Sequence, residues 1–314
     1  MSSTPRSEAT AFAPATVGNV GIGFDILGHT VQSVGDRVTA RRIDGNGVRI
    51  RSVSGVTTTV PLETGRNTAG KAVQSLWQAR LVPFGVELEI EKGIPLGSGL
   101  GGSAASAVGA VVAANALLDE PASTIQLLKC AMHGEQVASG SIHVDNIAPS
   151  LIGGLVLTVG IDNPRTKQIP VPATIRCVLV HPHMSISTRE ARGILSKTVT
   201  LSDFVWQTAN LAGFISGCYS GDLDMIRDAF EDVVIEPQRA ALIPGFKSVR
   251  TAAMAGGALG CSISGAGPTV FAWCEEPYAA GIQAAMVAAF AAHGLKSDHW
   301  ITGIAPPGAR IISR

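Results

Sequence analysis

The chain has 314 residues, of which 46% are hydrophobic and only 15% charged, and its 24 basic and 24 acidic side chains cancel. That length allows two ordinary domains, or one large one, with ample material for a buried core. A balanced, charge-poor chain has no general basic field, which argues against long nucleic acid as a partner. The first ten residues are polar and show no secretory signal. The most apolar windows, 104–118 and 279–291, are shorter than the ~20 residues of a membrane span. A soluble, cytoplasmic protein with no membrane partner is expected. The cysteines Cys130, Cys177, Cys218, Cys261 and Cys274 are odd in number and form no CxxC pair, so reduced, buried thiols are expected rather than zinc ligands or disulfides.

In chain order, the segment 11–31 reads as turn-rich, and strands are expected over 36–42 and 47–53. Residues 67–78 place Ala69, Ala72, Val73 and Leu76 on one helical face. The run VELEIE at 86–91 alternates strictly and reads as a strand with one exposed face. Helices follow over 103–118 and 123–139, the second with Ser123 as a plausible cap. A turn at 139–140 leads to His143-Val144-Asp145-Asn146, an apolar segment closed by Gly153-Gly154, and a strand over 155–159. The polar, proline-containing stretch 162–172 is the expected boundary, dividing the chain into 1–165 and 166–314. Beyond it, strands are expected at 175–181 and 270–274 and helices at 201–216, 223–232, 245–255 and 278–293; Ser187 or Thr188 is placed to cap a further helix. Without regular βα alternation, the class is α+β.

The most informative segment is Pro95-Leu96-Gly97-Ser98-Gly99-Leu100-Gly101-Gly102-Ser103-Ala104. Glycines let backbone approach a ligand closely, and the helix behind points free N–H groups and its positive dipole end into the loop. Such a loop holds phosphate with few charged side chains. Gly97, Gly99 and Gly102 formally match a dinucleotide fingerprint, with acids at Asp119-Glu120. In that fold, however, the acid ends a second strand, whereas here it ends the helix, and the alternating strand before the loop is not that of a buried parallel sheet. A Walker A loop needs a lysine at its end, and none occurs between Lys92 and Lys129. A glycine-rich helix start without a ligand is the bland alternative.

Two further glycine turns accompany this loop, Asn19-Val20-Gly21-Ile22-Gly23-Phe24-Asp25 and Ser264-Gly265-Ala266-Gly267-Pro268-Thr269. Together APATVGNVGIGFD, PLGSGLGGSAAS and SGAGPT resemble, in order, the three motifs of the GHMP small-molecule kinases. The run from His143 to Gly154, the segment Ser187–Arg192 and Glu236-Pro237-Gln238-Arg239 are similar to the homoserine kinase branch. The resemblance spans about Ala11 to Thr269. It implies a two-domain GHMP kinase fold, with a ribosomal-protein-S5-like N-terminal and a ferredoxin-like C-terminal domain and the site in the cleft between them. It also implies ATP and Mg²⁺ as cofactors, L-homoserine as substrate and a possible homodimer.

Residue by residue, the resemblance implies that Pro95, Leu96, Gly97, Ser98, Gly99, Leu100, Gly101, Gly102, Ser103, Ala104 and Ala105 wrap the nucleotide phosphates. Ser103 and Glu135 match the Mg²⁺ site, although alone they would read as a helix cap and a surface acid. Asn67 and Thr68 fall where the family meets the nucleotide base. Asn19, Asp25, His143, Asn146, Thr188, Arg192, Arg239 and Gly265 map onto the acceptor site. There Asp25 suits an ammonium, and two arginines suit a carboxylate through planar forks. Among the catalytic residues so implied, either Asp145 is the base beside the acceptor hydroxyl, or Asn146 occupies that point, leaving no base and Asp145 structural. A loose phosphoryl-transfer transition state makes a mechanism without a strong base acceptable, and the structural role is preferred. One departure is Gly102, where many relatives carry a serine. His133-x-Glu135 and His143-x-Asp145 have metal-like spacing, but the Pro-Cys-x-x-Cys of a zinc deaminase is missing. Another small alcohol as acceptor, or a non-catalytic metabolite binder on the same fold, are the alternatives; loss of the Ser103–Glu135 pair would mark the latter.

Overall fold

The structure is a computed structural model that describes residues 6–139, 143–160, 162–305 and 307–313. The expected turn at 139–140 falls partly outside them. The first sheet contains β1 (Glu8–Gly18), β2 (Leu27–Ile43), β3 (Gly47–Gly55) and β4 (Gly85–Lys92), joined by β5 (Leu155–Val159), β6 (Arg165–Ile169) and the C-terminal β11 (Arg310–Ser313). Its order is β11-β1-β2-β4-β3, with β5 on the early part of β2 and β6 on β5. Only β3 and β4 are parallel, and they are bridged by helix α1 (Thr68–Arg80). Helices α2 (Gly102–Asn115), α3 (Thr124–Ser139) and α4 (Val144–Ile152) complete this half.

The segment 11–31 is not turn-rich as expected. It is strand to Gly18 and again from Leu27, with the turn confined between them. The overlooked signal is the period of two in Ala9, Ala11, Ala13, Ala15 and Val17, all fully buried. Small side chains there let α2 lie close on the sheet. A Cβ on Gly109 of α2 would sit 3.0 Å from Val38 and 3.4 Å from Ala13. Residues 104–111, 113 and 114 of α2 are buried, so this helix carries no polar face to solvent. The alternating face of β4 is not bare either. Glu87 and Glu89 are covered by Arg49, Arg51 and Arg41 from neighbouring strands, as cross-strand pairs of opposite charge.

The second sheet, β10-β7-β9-β8, is antiparallel throughout: β7 (Ile175–Pro182), β8 (Gly260–Ile263), β9 (Val270–Glu275) and β10 (Ser297–Gly303). Helices α5 (Thr188–Gly193), α6 (Leu201–Ser220), α7 (Leu223–Asp228), α8 (Glu236–Arg239) and α9 (Phe246–Ala255) lie between β7 and β8, and α10 (Ala279–Ala292) lies between β9 and β10. With α9 and α10 packed together, this is the split βαβ arrangement of a ferredoxin-like half. The α+β class therefore stands, but the sheets do not divide at residue 165. Strand β6 fills the expected linker, and β11 returns to the first sheet, so the crossing from one sheet to the other falls between β6 and β7. The strands β10 and β11 were not anticipated. All five cysteines are free and buried. Among the described residues no helix is long and apolar enough to cross a membrane.

The two sheets meet over an aromatic cluster. Trp273 of β9 packs against Phe214 and Phe230, and its Nε1–H donates to Nε2 of His29 on β2 at 3.1 Å. His29 Nδ1 donates to Thr30 O at 2.9 Å, so both bonds require a neutral imidazole. Complete burial pushes its pKa down to about 4. Unfolding exposes an imidazole that protonates near 6.5, so the native state loses stability as pH falls from about 6.5 to about 4, by up to about 3 kcal/mol. The buried carboxyls Glu135, Asp145 and Glu236 shift the opposite way, so the contribution of His29 must be read as a difference. Denaturant melts of the parent and His29→Gln across pH 4–7 should show the parent losing about that much relative to the variant as pH falls. A difference independent of pH would contradict this account.

Candidate active site

The glycine loop faces a cavity because its carbonyls face away from it. Gly97 O accepts from the Ile186 amide at 3.1 Å, and Ser98 O from the Thr269 hydroxyl at 2.6 Å and amide at 3.2 Å. Gly99 O accepts from the Ser264 hydroxyl at 2.7 Å, and Leu100 O from the Thr16 amide at 3.1 Å. In a planar trans peptide the N–H after each carbonyl points the opposite way. The Ser98, Gly99 and Gly101 amides therefore point away from these partners, on the side of the cavity wall that residues 95–99 and 101–103 form, while the Leu100 amide donates to Ser98 Oγ at 3.4 Å. Gly99, at φ +76°, has no room for a Cβ, which would stand 2.4 Å from Ser264 O and 2.7 Å from Gly267 O. The second glycine turn therefore seats directly on the first.

Helix α2 starts at the end of this loop, with Gly101 (φ +66°) as N-cap and its first amides directed at the same cavity. Ser103 Oγ donates to Glu135 Oε1 at 2.8 Å across to α3. Burial pushes the Glu135 carboxyl up to about 7, with Asp145 adding to the shift and the Ser103 bond and Lys92 opposing it. Beneath the helix start, Lys92 Nζ donates to Asp36, to Gly102 O at 2.7 Å and to Ser106 Oγ at 2.8 Å. Asp36 Oδ1 also accepts from the Gly93 and Ile94 amides. This buried network ties the end of β4 to the first turn of α2. It was not singled out from sequence, where Lys92 served only to exclude a Walker lysine.

The turn at 19–26 holds three non-glycine residues at positive φ: Asn19 (67°), Val20 (46°) and Asp25 (63°). For a β-branched valine this is a strained conformation, of the kind found where surrounding contacts enforce it. Asn19 is the clip. Its amide N–H donates to Asp145 Oδ2 at 3.1 Å, its Nδ2 to Gly265 O at 2.9 Å, and its Oδ1 accepts from the Asp25 amide at 3.0 Å. Asp145 lies in the first turn of α4, where burial and then the Asp25 charge push its carboxyl up to about 7. Its Oδ1 is buried and has no hydrogen-bond partner. Asn146 Oδ1 accepts from the Thr16 hydroxyl at 2.8 Å. His143, just before α4, is held below its ordinary pKa by burial, with Asp25 opposing and the charges of Arg192 and Arg239 adding to the shift.

Opposite the loop, Arg192 on α5 forks onto Asp25 through Nη2 at 2.7 and 2.9 Å. Arg239 is buried, and its Nε and Nη1 donate to Ala191 O at 3.2 Å and Gly265 O at 2.9 Å. Both guanidiniums lie near the Phe24 ring, at 5.3 and 5.1 Å from its centroid.

One cavity of about 150 Å³ gathers most of the residues singled out from sequence: Asn19, Asp25, Pro95, Leu96, Gly97, Ser98, Gly99, Gly101, Gly102, Ser103, Glu135, His143, Asp145, Asn146, Thr188, Arg192, Arg239 and Gly265. Leu100, Ala104 and Ala105 are not on its wall; all three are fully buried in the core. Asn67 and Thr68 also lie off it. Asn67 caps α1 by accepting from the Gly70 amide and donates to Pro61 O, while Thr68 donates to Ser103 O. Asn19 and Gly265 line the cavity while also bonding to protein: the Asn19 side chain joins Gly265 O and the Asp25 amide, and Gly265 O accepts from Arg239 as well. Phe24, Ile186, Ala266 and Gly267 line the cavity without having been singled out. Phe24 was legible only as the neighbour of Asp25.

The family description "GHMP kinases N terminal domain" matches residues 67–154, and "GHMP kinases C terminal" matches 214–292. The chain is 53% identical over 307 residues to a homoserine kinase of Xanthomonas campestris pv. campestris (strain B100), covering 98% of this chain and 94% of that one. A crystal structure of a homoserine kinase from Cytophaga hutchinsonii superposes with a TM-score of 0.96 at 40% identity, over 99% of both chains. The L. major mevalonate kinase in complex with R-mevalonate shares the fold alone, at TM-score 0.71 and 16% identity over 98% of this chain and all of that one. The strand and helix order, the cavity built from three glycine turns and these full-length likenesses converge: the chain belongs to the GHMP kinase family, among the homoserine kinases.

Proposed function

We propose that this protein transfers the γ-phosphoryl group of ATP to the side-chain hydroxyl of L-homoserine, giving ADP and O-phospho-L-homoserine on the route to threonine. The observation that carries this reading is one cavity with two unlike walls. One wall is an amide-lined glycine loop running into a helix N-terminus; the other presents Asp25, Arg192 and Arg239. The first suits a polyphosphate, and the second suits the ammonium and carboxylate of an amino acid. A sugar or another uncharged alcohol would leave Arg239 without an anion and would make no use of the charges of Arg192 and Asp25.

Ser103 and Glu135 offer only oxygen donors, a hydroxyl beside a carboxylate at the helix start, which is the donor chemistry Mg²⁺ accepts. When bound there, the cation would offset charge on the phosphoryl oxygens. The loop amides would hold the phosphates, and Lys92 with Asp36 would fix the loop's exit. Asn19 and Gly265 would act by positioning, since their polar groups join the turn at 19–26, α4 and the second glycine turn. Asp145, through its bond to the Asn19 amide, would brace that turn while the substrate hydroxyl attacks the γ-phosphorus directly, the bridging P–O bond breaking to release ADP and the hydroxyl proton passing to an oxygen of the transferred phosphoryl group. A second reading has one observation behind it. The buried, unpartnered Oδ1 of Asp145 on the cavity wall is suited to take the hydroxyl proton.

ADP release in the presence of Mg²⁺ and homoserine, mevalonate, galactose or shikimate tests the acceptor: turnover with homoserine alone is expected, and turnover only with another alcohol would reject it. Ser103→Ala and Glu135→Ala should each lower kcat/KM for Mg-ATP by about 10²- to 10³-fold while homoserine still binds. Homoserine-dependent turnover at parental rate in Glu135→Ala would remove that residue from the site. Asp145→Asn should lose no more than about tenfold in kcat if the residue only braces the turn. A loss of about 10³-fold or more in a correctly folded variant would select the base reading.

A further inference from the structure

The two groups best suited to grip the ends of an amino acid grip each other. Arg192 and Asp25 form a forked ion pair on the cavity wall, with side chains 36% and 33% exposed. The contact is built rather than incidental. Asp25 is held at φ +63° by the hydrogen bond its backbone N–H donates to Asn19 Oδ1, and Arg192 rests beside Phe24. Arg192 Nε is buried and has no hydrogen-bond partner, so the guanidinium keeps a donor that Asp25 does not use. Arg239, which also lies near the Phe24 ring, is tied to backbone carbonyls instead.

We propose that the Arg192–Asp25 pair is a lock that stands in for the acceptor and that only a zwitterion opens. The inference rests on the acceptor site assigned above and adds how that site discriminates. A ligand carboxylate replaces Asp25 at Arg192 and gains the unused Nε donor, while the ligand ammonium replaces Arg192 at Asp25. One ion pair breaks, two form, and no charge is stranded. A ligand carboxylate without an ammonium takes Arg192 from Asp25 and leaves Asp25 only the more distant His143 and the charge of Arg239, and a ligand ammonium without a carboxylate takes Asp25 from Arg192. Stranding a partly buried charge is costlier than the pair itself is stabilising. Selectivity for α-amino acids over hydroxy acids and amino alcohols thus comes from the pair, as repulsion of wrong ligands as well as attraction of the right one.

The lock predicts a reversal that a simple ammonium-binding role for Asp25 does not. Binding is measured by calorimetry on the full chain with a non-hydrolysable ATP analogue and Mg²⁺, which separates it from turnover. The probes are L-homoserine, 4-hydroxybutanoate (no ammonium) and 3-aminopropan-1-ol (no carboxylate). The parent should bind both half-ligands about 100-fold or more weaker than homoserine. Asp25→Asn keeps a residue that tolerates positive φ. It should weaken homoserine about 10- to 100-fold and tighten 4-hydroxybutanoate about tenfold relative to the parent. Arg192→Gln is the mirror test and should tighten 3-aminopropan-1-ol. If neither half-ligand gains affinity in the corresponding folded variant, the lock is rejected. If homoserine fails to bind the parent but another amino acid binds and shows the same reversal, the lock stands and the homoserine assignment falls. If no amino acid binds, both fall.

Discussion

The site depends on a contact between backbones. A glycine-rich loop has few side chains to hold its own shape, here the Ser98 hydroxyl on the Leu100 amide and the buried Leu100, and its glycine peptides can rotate either way. Here the carbonyls of Gly97, Ser98 and Gly99 are taken by Ile186, Thr269 and Ser264, all from the second half of the chain. That clasp fixes which way the amides point. A loop made in the first half is therefore given its direction by the second, and the cavity is lined by residues of both halves.

The same docking supports the strain in the turn at 19–26. Asn19, Val20 and Asp25 occupy backbone conformations that side chains disfavour. They are kept there by Asp145 from α4 and by Gly265 from the clasping turn. Asp25 is thereby presented to Arg192, whose helix α5 follows Ile186, itself bonded to Gly97. The glycine loop, the wall that carries Arg192 and the strained turn are thus one hydrogen-bonded unit rather than three adjacent motifs. Burying carboxyls within that unit carries a cost, seen in Glu135 and Asp145, both pushed up to about 7 by desolvation.

Much of this was legible in the chain, and the reasons differ by residue. The loop at 97–103 was readable because glycine density and a following apolar helix are local properties. Ser103 and Glu135 needed the family resemblance, since they lie on different helices and neither is unusual alone. Strand β1 was misread because glycine and proline near its end outweighed the alternating alanines that define its buried face. Strand β11 was missed for a different reason: it gains its pairing only from β1, some 300 residues away, and nothing local marks it. Asn67 was reached only through the resemblance, and what the structure adds is local: its side chain caps α1. Phe24 and the Lys92–Asp36 network were invisible because their importance lies in what they touch.

The claim that the second glycine turn directs the first is tested most directly by removing the clasp and measuring nucleotide binding. In Ser264→Ala/Thr269→Val, two side-chain hydrogen bonds to the carbonyls of Ser98 and Gly99 are lost, while the loop's own sequence is untouched. Titration of Mg-ATP into the folded double variant should show affinity reduced by about 10- to 100-fold, in line with about 1 kcal/mol per bond. Parental affinity would mean that the loop holds its shape unaided, contradicting the account at its centre.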